Sequence, residues 1–146
     1  MKKLVLDASV IIKWLLPDVD QEEDTKTALD ILQNIKESEI SINQPVHWLA
    51  EAAAVAVRLT PETARKDIAD LCEMDFDIID NLEVYLLACD LSAKLNHHMF
   101  DTLYHAVALH LSNTVLVTAD RKYYKKASPF GKIVLLEQFK SFRGRS

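Results

Sequence analysis

The chain has 146 residues, 49% of them hydrophobic and 27% charged, with two glycines, four prolines and two cysteines. This balance fits one globular domain spanning residues 1–146, large enough to bury roughly 70% of its unfolded surface. It excludes a disordered or turn-rich all-β protein, and no apolar run approaches a membrane span. The net charge of −5 argues against nucleic acid when taken alone, yet residues 121–146 hold eight Lys/Arg and one Glu, a local +7 that leaves −12 on residues 1–120. Such asymmetry suits either a polyanion-facing surface or a solvated basic tail.

In chain order, Lys3 to Leu6 reads as a strand whose apolar run, Leu4 to Leu6, stops at Asp7. Strands buried on both faces have this pattern, so a central strand of a parallel sheet is expected, with Asp7 at its carboxyl end, where open α/β sheets bind ligands. The opening residues do not resemble a signal peptide. Ser9 to Leu16 is expected to be a short helix capped by Ser9 and ended by Pro17. Residues 18–24 hold five acids and form an acidic loop, followed by a helix from Thr25 to Glu37. Ile40 to Ile42 alternates like a strand, and Asn43-Gln44-Pro45 is expected to turn into a helix over Val46 to Leu59, with Pro45 in its first turn. Thr60-Pro61 is expected to start another helix through Leu71.

Phe76 to Asp80 is strand-like. A helix from Leu82 to Leu95 places Leu82, Leu86, Cys89 and Ala93 on one face. Residues 96–100, including His97 and His98, form a loop with no assigned role. A helix from Asp101 to Leu111 follows, then a second continuous apolar strand, Thr114 to Thr118, that stops at Ala119-Asp120. One or two helical turns over Arg121 to Ala127, a turn at Pro129-Phe130-Gly131 and a strand from Ile133 to Leu136 complete the chain. This alternation predicts an α/β fold with a central, mainly parallel sheet of four or five strands and helices on both faces. Cys72 and Cys89 lack metal-type spacing and are expected to be buried and reduced, which suits the cytoplasm.

Four acids have atypical placement: Asp7 and Asp120 at strand ends, Asp101 at a helix start, and Glu51 alone inside an apolar helix. Taken singly, Asp7, Asp101 and Asp120 can be helix caps, and Glu51 can pair with Arg58 or His47. If the two strands are neighbours, the acids share one crevice. Two carboxylates about 5 Å apart repel by roughly 3 kcal/mol at an effective dielectric near 20, so four need protons or a cation. Oxygen-only ligation selects Mg²⁺ or Mn²⁺. Ser9 and Thr118 can serve as hydrogen-bond partners behind the ligands. Lys13, Arg121, Lys122, Lys125 and Lys126 are candidates for contacts with backbone phosphates.

The stretches Val5 to Trp14, Glu51 in its alanine-rich helix, Asp101-Thr102-Leu103-Tyr104-His105-Ala106-Val107-Ala108-Leu109 and Val117-Thr118-Ala119-Asp120-Arg121 resemble the motifs of PIN-domain ribonucleases, and of the VapC toxins in particular. The resemblance covers essentially the whole chain, with the motifs in the family's order. It implies a three-layer α/β/α PIN-like domain and cleavage of RNA with Mg²⁺ or Mn²⁺. Asp7, Glu51, Asp101 and Asp120 fall on the family's acidic positions, and Ser9 on its small hydroxyl position. The resemblance also implies a homodimer inhibited by a cognate antitoxin. Some relatives carry a further acid after the fourth, where this chain has Arg121, Lys122 and Tyr123. His105 lies on the same helix face as Asp101 and is taken as a helix-surface histidine.

Two other readings compete. One is a PIN-like RNA-binding or RNA-processing protein that lacks a toxin role or cuts little, although no acid of the set is missing. The other is a phosphoacceptor domain, which needs an acidic pair at the first strand and leaves Glu51 and Asp101 unexplained.

Overall fold

The computed structural model describes residues 2–16 and 23–139. Pro17, most of the acidic loop and the basic residues beyond 139 lie outside the described residues. The elements run β1 (Lys2–Leu6), α1 (Ala8–Leu15), α2 (Glu23–Lys36), β2 (Ile40–Gln44), α3 (Trp48–Leu59), α4 (Ala64–Glu73), β3 (Asp77–Ile78), α5 (Leu82–Leu95), α6 (Met99–His110), β4 (Thr114–Thr118), α7 (Arg121–Ala127) and β5 (Ile133–Leu135).

The five strands form a wholly parallel sheet in the order β3-β2-β1-β4-β5. Leu4, Val5 and Leu6 are fully buried, as a central strand covered on both faces requires. From β1 the chain steps outward through α1 to α4, then returns past β1 through α5 and α6 to reach β4. With right-handed crossovers, this reversal puts the two helix groups on opposite faces, an α/β/α sandwich. Within them, α1 packs on α2 and α3, α3 on α4, and α5 on α6. Because β1 and β4 are neighbours at the point of reversal, their carboxyl ends open one crevice.

Several local expectations are corrected. The cap of α1 is Asp7, whose carboxylate accepts from the Ser9 amide, so the helix begins at Ala8, two residues earlier than Ser9 capping would give. Asn43 and Gln44 are buried strand residues and not a turn, and α3 starts only at Trp48. The Gln44 amide replaces a peptide: it accepts from the Leu6 N–H at 3.0 Å and donates to the Leu6 carbonyl at 2.8 Å, extending the β1 ladder by one step. Thr60 closes α3 rather than opening α4, and its hydroxyl donates back to the Ala56 carbonyl at 3.2 Å. Of the strand-like Phe76 to Asp80, only Asp77 and Ile78 pair.

On α5 the face turned inward is Val84, Ala88 and Leu91. The Leu82, Leu86, Cys89 and Ala93 face is exposed, with Leu82 at 67% and Leu86 at 54%. Both cysteines are free but exposed, contrary to the expected burial. His105 is fully buried within α6 and is not a surface residue. Among the described residues, no helix is long and apolar enough to cross a membrane.

Candidate active site

The carboxyl ends of β1 and β4 place Asp7 and Asp120. Leu6 stands opposite Val117, which brings Thr118 beside Asp7. Asp7 receives three donors: the Ser9 amide at 3.1 Å and the Ser9 hydroxyl on Oδ1, and the Thr118 hydroxyl on Oδ2 at 2.5 Å. The two hydroxyls in turn accept backbone N–H groups from the next strand end, Ser9 from Ala119 at 2.9 Å and Thr118 from Asp120 at 3.0 Å. Asp120 caps α7 by accepting from the Tyr123 amide at 3.0 Å. Both expected cap readings therefore hold for these aspartates, and neither prevents the carboxylate from also facing the crevice.

Glu51 reaches the same region from α3. Its Oε1 accepts the Tyr104 hydroxyl at 2.7 Å, and His47 Nε2 lies 3.6 Å away. His47 is thus within reach of Glu51 but gives its closer contact, 2.7 Å, to the Phe100 carbonyl, and Arg58 is exposed at the far end of the helix. Asp101 is the third residue of α6. Its Oδ2 accepts from His97 Nε2 at 2.6 Å, and His98 Nε2 lies 3.2 Å from the same oxygen.

Electrostatics bind these groups into one site. Burial pushes the Asp7 carboxyl up to about 6, the Ser9 and Thr118 hydroxyls pull it down, and the charges of Asp101 and Asp120 raise it further. The Tyr104 hydroxyl is driven well above its usual range by burial first, then by Glu51, Asp7 and Asp101. Burial likewise raises Tyr123, with Asp101, Asp7 and Asp120 adding to the effect. All four acids therefore sit in a common negative field, and their carboxylate oxygens are a donor set that fits a hard divalent cation, with the imidazoles of His47, His97 and His98 set behind Glu51 and Asp101. The four are not the most tightly gathered set. Among the described residues, the one group of three possible ligand side chains with donor atoms within 4.8 Å is His97, His98 and Asp101.

The expected RNA-contact residues separate into two kinds. Lys13 sits on α1 with its ammonium 3.5 Å from Asp24, and Arg121 donates to Glu137 at 2.7 Å. Lys126 is turned inward, 3.2 Å from His97 Nδ1 and 3.4 Å from the Asn96 carbonyl. Lys122 and Lys125 are exposed on α7. His105 plays a packing part. Its Nδ1 accepts from the Tyr123 hydroxyl at 3.0 Å and its Nε2 donates at 2.8 Å to the carbonyl of Gly131, a residue at φ 79° where glycine is favoured. Burial lowers the His105 pKa, consistent with the neutral ring these two bonds require.

Sequence reasoning missed Gln44, Tyr104, Tyr123 and His97. Tyr104 and Tyr123 carried a usable signal, since each lies three residues beyond an acid of the set, one helical turn away. Gln44 and His97 carried none, because both looked like ordinary loop residues.

Comparison with known proteins bears on the fold and the family. A family model described as PIN domain matches residues 4–129. Among solved structures, the chain resembles VapBC-1 from nontypeable Haemophilus influenzae, with a TM-score of 0.63 at 17% identity, covering 93% of this chain and 99% of that one. It also resembles a toxin–antitoxin complex from Klebsiella pneumoniae, with a TM-score of 0.61, 15% identity, and coverage of 91% and 97%. A third likeness is to VapBC2 from Rickettsia felis bound to a DNA fragment from the promoter, with a TM-score of 0.62, 16% identity, and coverage of 91% and 96%. No curated protein matches the chain. With a family model spanning most of the sequence and the parallel sheet it calls for in place, the chain belongs to the PIN domain family.

Proposed function

We propose that this protein is a metal-dependent endoribonuclease, the toxin component of a VapBC-type toxin–antitoxin pair, in which Asp7, Glu51, Asp101 and Asp120 hold Mg²⁺ or Mn²⁺. Membership of the PIN family supports a nuclease. The observation that carries the metal reading is Asp7, a carboxyl pushed up to about 6 by burial beside two further acids. A group so placed is costly as an anion unless a cation compensates it. A bound cation would lower the pKa of a water and stabilise charge on the phosphodiester. Ser9 and Thr118 hold both oxygens of Asp7 in one orientation, and Tyr104 does the same for one oxygen of Glu51. The exposed Lys122 and Lys125 supply positive charge next to Asp120 for RNA phosphates.

A cognate antitoxin as partner is supported by the solved structures that share the fold, which are described as VapBC or toxin–antitoxin complexes. A homodimer is supported by the exposed leucines of α5. The free cysteines support a cytoplasmic setting.

The test is cleavage of a structured RNA with Mg²⁺ or Mn²⁺ by wild type, Asp7→Asn and Asp120→Asn. Asparagine caps helices as well as aspartate does, so both variants should fold. Each should lose more activity than the roughly 10–100-fold typical of removing a partner behind a ligand. Full cleavage by a folded Asp7→Asn protein would overturn the proposal. Tight RNA binding without cleavage by the wild type would favour a non-cutting PIN protein instead.

A further inference from the structure

His97 is held from three directions. It follows Asn96, which closes α5 in the left-handed region (φ 51°, ψ 54°), and its amide donates to the Ser92 carbonyl at 3.2 Å. Its ring meets the edge of Tyr123 at 4.9 Å between centroids. Its side chain is only 11% exposed. The Lys126 ammonium lies 3.2 Å from its Nδ1.

The last contact fixes the proton. An ammonium only donates, so Nδ1 must offer its lone pair and Nε2 must carry the hydrogen. That hydrogen points at Asp101 Oδ2, 2.6 Å away. His98 Nε2 approaches the same oxygen at 3.2 Å. Oδ2 is therefore engaged on two sides, and Oδ1 is the oxygen left for another partner. The same geometry argues against a cation between the two histidines and Asp101, close as their donor atoms are. A metal on His97 Nε2 would move the ring proton to Nδ1, facing the ammonium of Lys126.

Lys126 also connects the elements. It stands on α7, the helix that Asp120 caps, so a chain of contacts runs from the helix of the fourth acid through Lys126 and His97 to the third. The relative placement of Asp101 and Asp120 is thereby tied to one imidazole.

We propose that His97 is a positioning residue, which presents Asp101 to the cation with one oxygen tied and the other free, and that Lys126 sets the tautomer that makes this possible. The inference rests on Asp101 being a ligand of the carboxylate centre. It assigns Lys126 to the interior of the site and not to RNA.

The experiment is Mn²⁺ binding to the metal-free full chain, followed by the electron paramagnetic resonance of free Mn²⁺, for wild type, Asp101→Asn, His97→Leu and His97→Gln. His97→Leu should weaken Mn²⁺ binding by about 10–100-fold, and Asp101→Asn, which removes a ligand, by more than that. His97→Gln, whose amide can donate to the same oxygen, should restore most of the loss. If Asp101→Asn binds Mn²⁺ as wild type does, the metal reading itself fails. If Asp101→Asn loses affinity while His97→Leu does not, or if glutamine is no better than leucine, the role of His97 is overturned and the metal reading stands. A readout that does not depend on these variants folding is the ¹⁵N NMR of His97 in the wild type. It should show a protonated Nε2 and a bare Nδ1, and an Nδ1–H tautomer or an imidazolium would overturn the part given to Lys126.

Discussion

Asp7 accepts from three donors and is still pushed up to about 6, because burial and the nearby charges of Asp101 and Asp120 outweigh the hydroxyls of Ser9 and Thr118. The folded protein therefore holds this proton over a range where the unfolded chain, near 3.8, has released it. The folded state binds more protons between about pH 4 and 6, so the stability that Asp7 contributes is fully present below about 4 and is lost as pH rises through 6. For the metal-free protein this amounts to about 1–3 kcal/mol. Other carboxylates titrate in the same range, so the measurement is a difference. Urea denaturation of wild type and Asp7→Asn should show the variant gaining stability relative to wild type as pH goes from 4 to 7. Parallel curves would mean that Asp7 is not strained as an anion. Added Mn²⁺ should narrow the gap, since a cation lowers the cost of the charged form.

At the scale of elements, β1 needs a side chain to finish it. Its pairing with β2 ends at Leu4 and Ile42, and the Gln44 amide then takes both polar groups of Leu6, the residue before Asp7. Gln44→Leu would leave a buried N–H and a buried carbonyl without these partners, at about 1–3 kcal/mol for each group left unsatisfied. We expect a loss of about 2–5 kcal/mol in chemical denaturation. A loss under about 0.5 kcal/mol would show that the Gln44 bonds add little to the strand. The central strands themselves were legible: Leu4 to Leu6 and Thr114 to Thr118 are continuous apolar runs, which only a strand covered on both faces explains. So was the meeting of Asp7 and Asp120, because both runs stop at an aspartate and such strands flank the point of reversal. Gln44 was not, because a polar residue beside a proline has the signature of a turn, and only the neighbouring strand shows that its amide acts as a peptide. The direction of α5 was hidden for a similar reason. Leu82 and Leu86 have the spacing of a buried stripe, and Val84, Ala88 and Leu91 have it equally well. Periodicity finds a face without saying what covers it.

For the whole molecule, that exposed face is the strongest pointer to self-association. Leu82 and Leu86, one helical turn apart and more than half exposed, form an apolar strip that the proposed homodimer would cover. Replacing both, Leu82→Lys with Leu86→Lys, should convert a dimer to a monomer in light scattering coupled to size exclusion while leaving circular dichroism unchanged. A double variant that keeps the wild-type mass would place any dimer contact elsewhere.

The strand order carries one more consequence, in time and not in space. Leu4 pairs with Val115, so the two halves of the crevice come from segments far apart in the chain. At about 5–20 residues per second, a ribosome releases Asp7 several seconds before it reaches Asp120. Throughout that interval the growing chain has no neighbour for β1 on the β4 side and no fourth carboxylate. On the proposed activity, the nascent chain cannot assemble the full carboxylate set until β4 has been made.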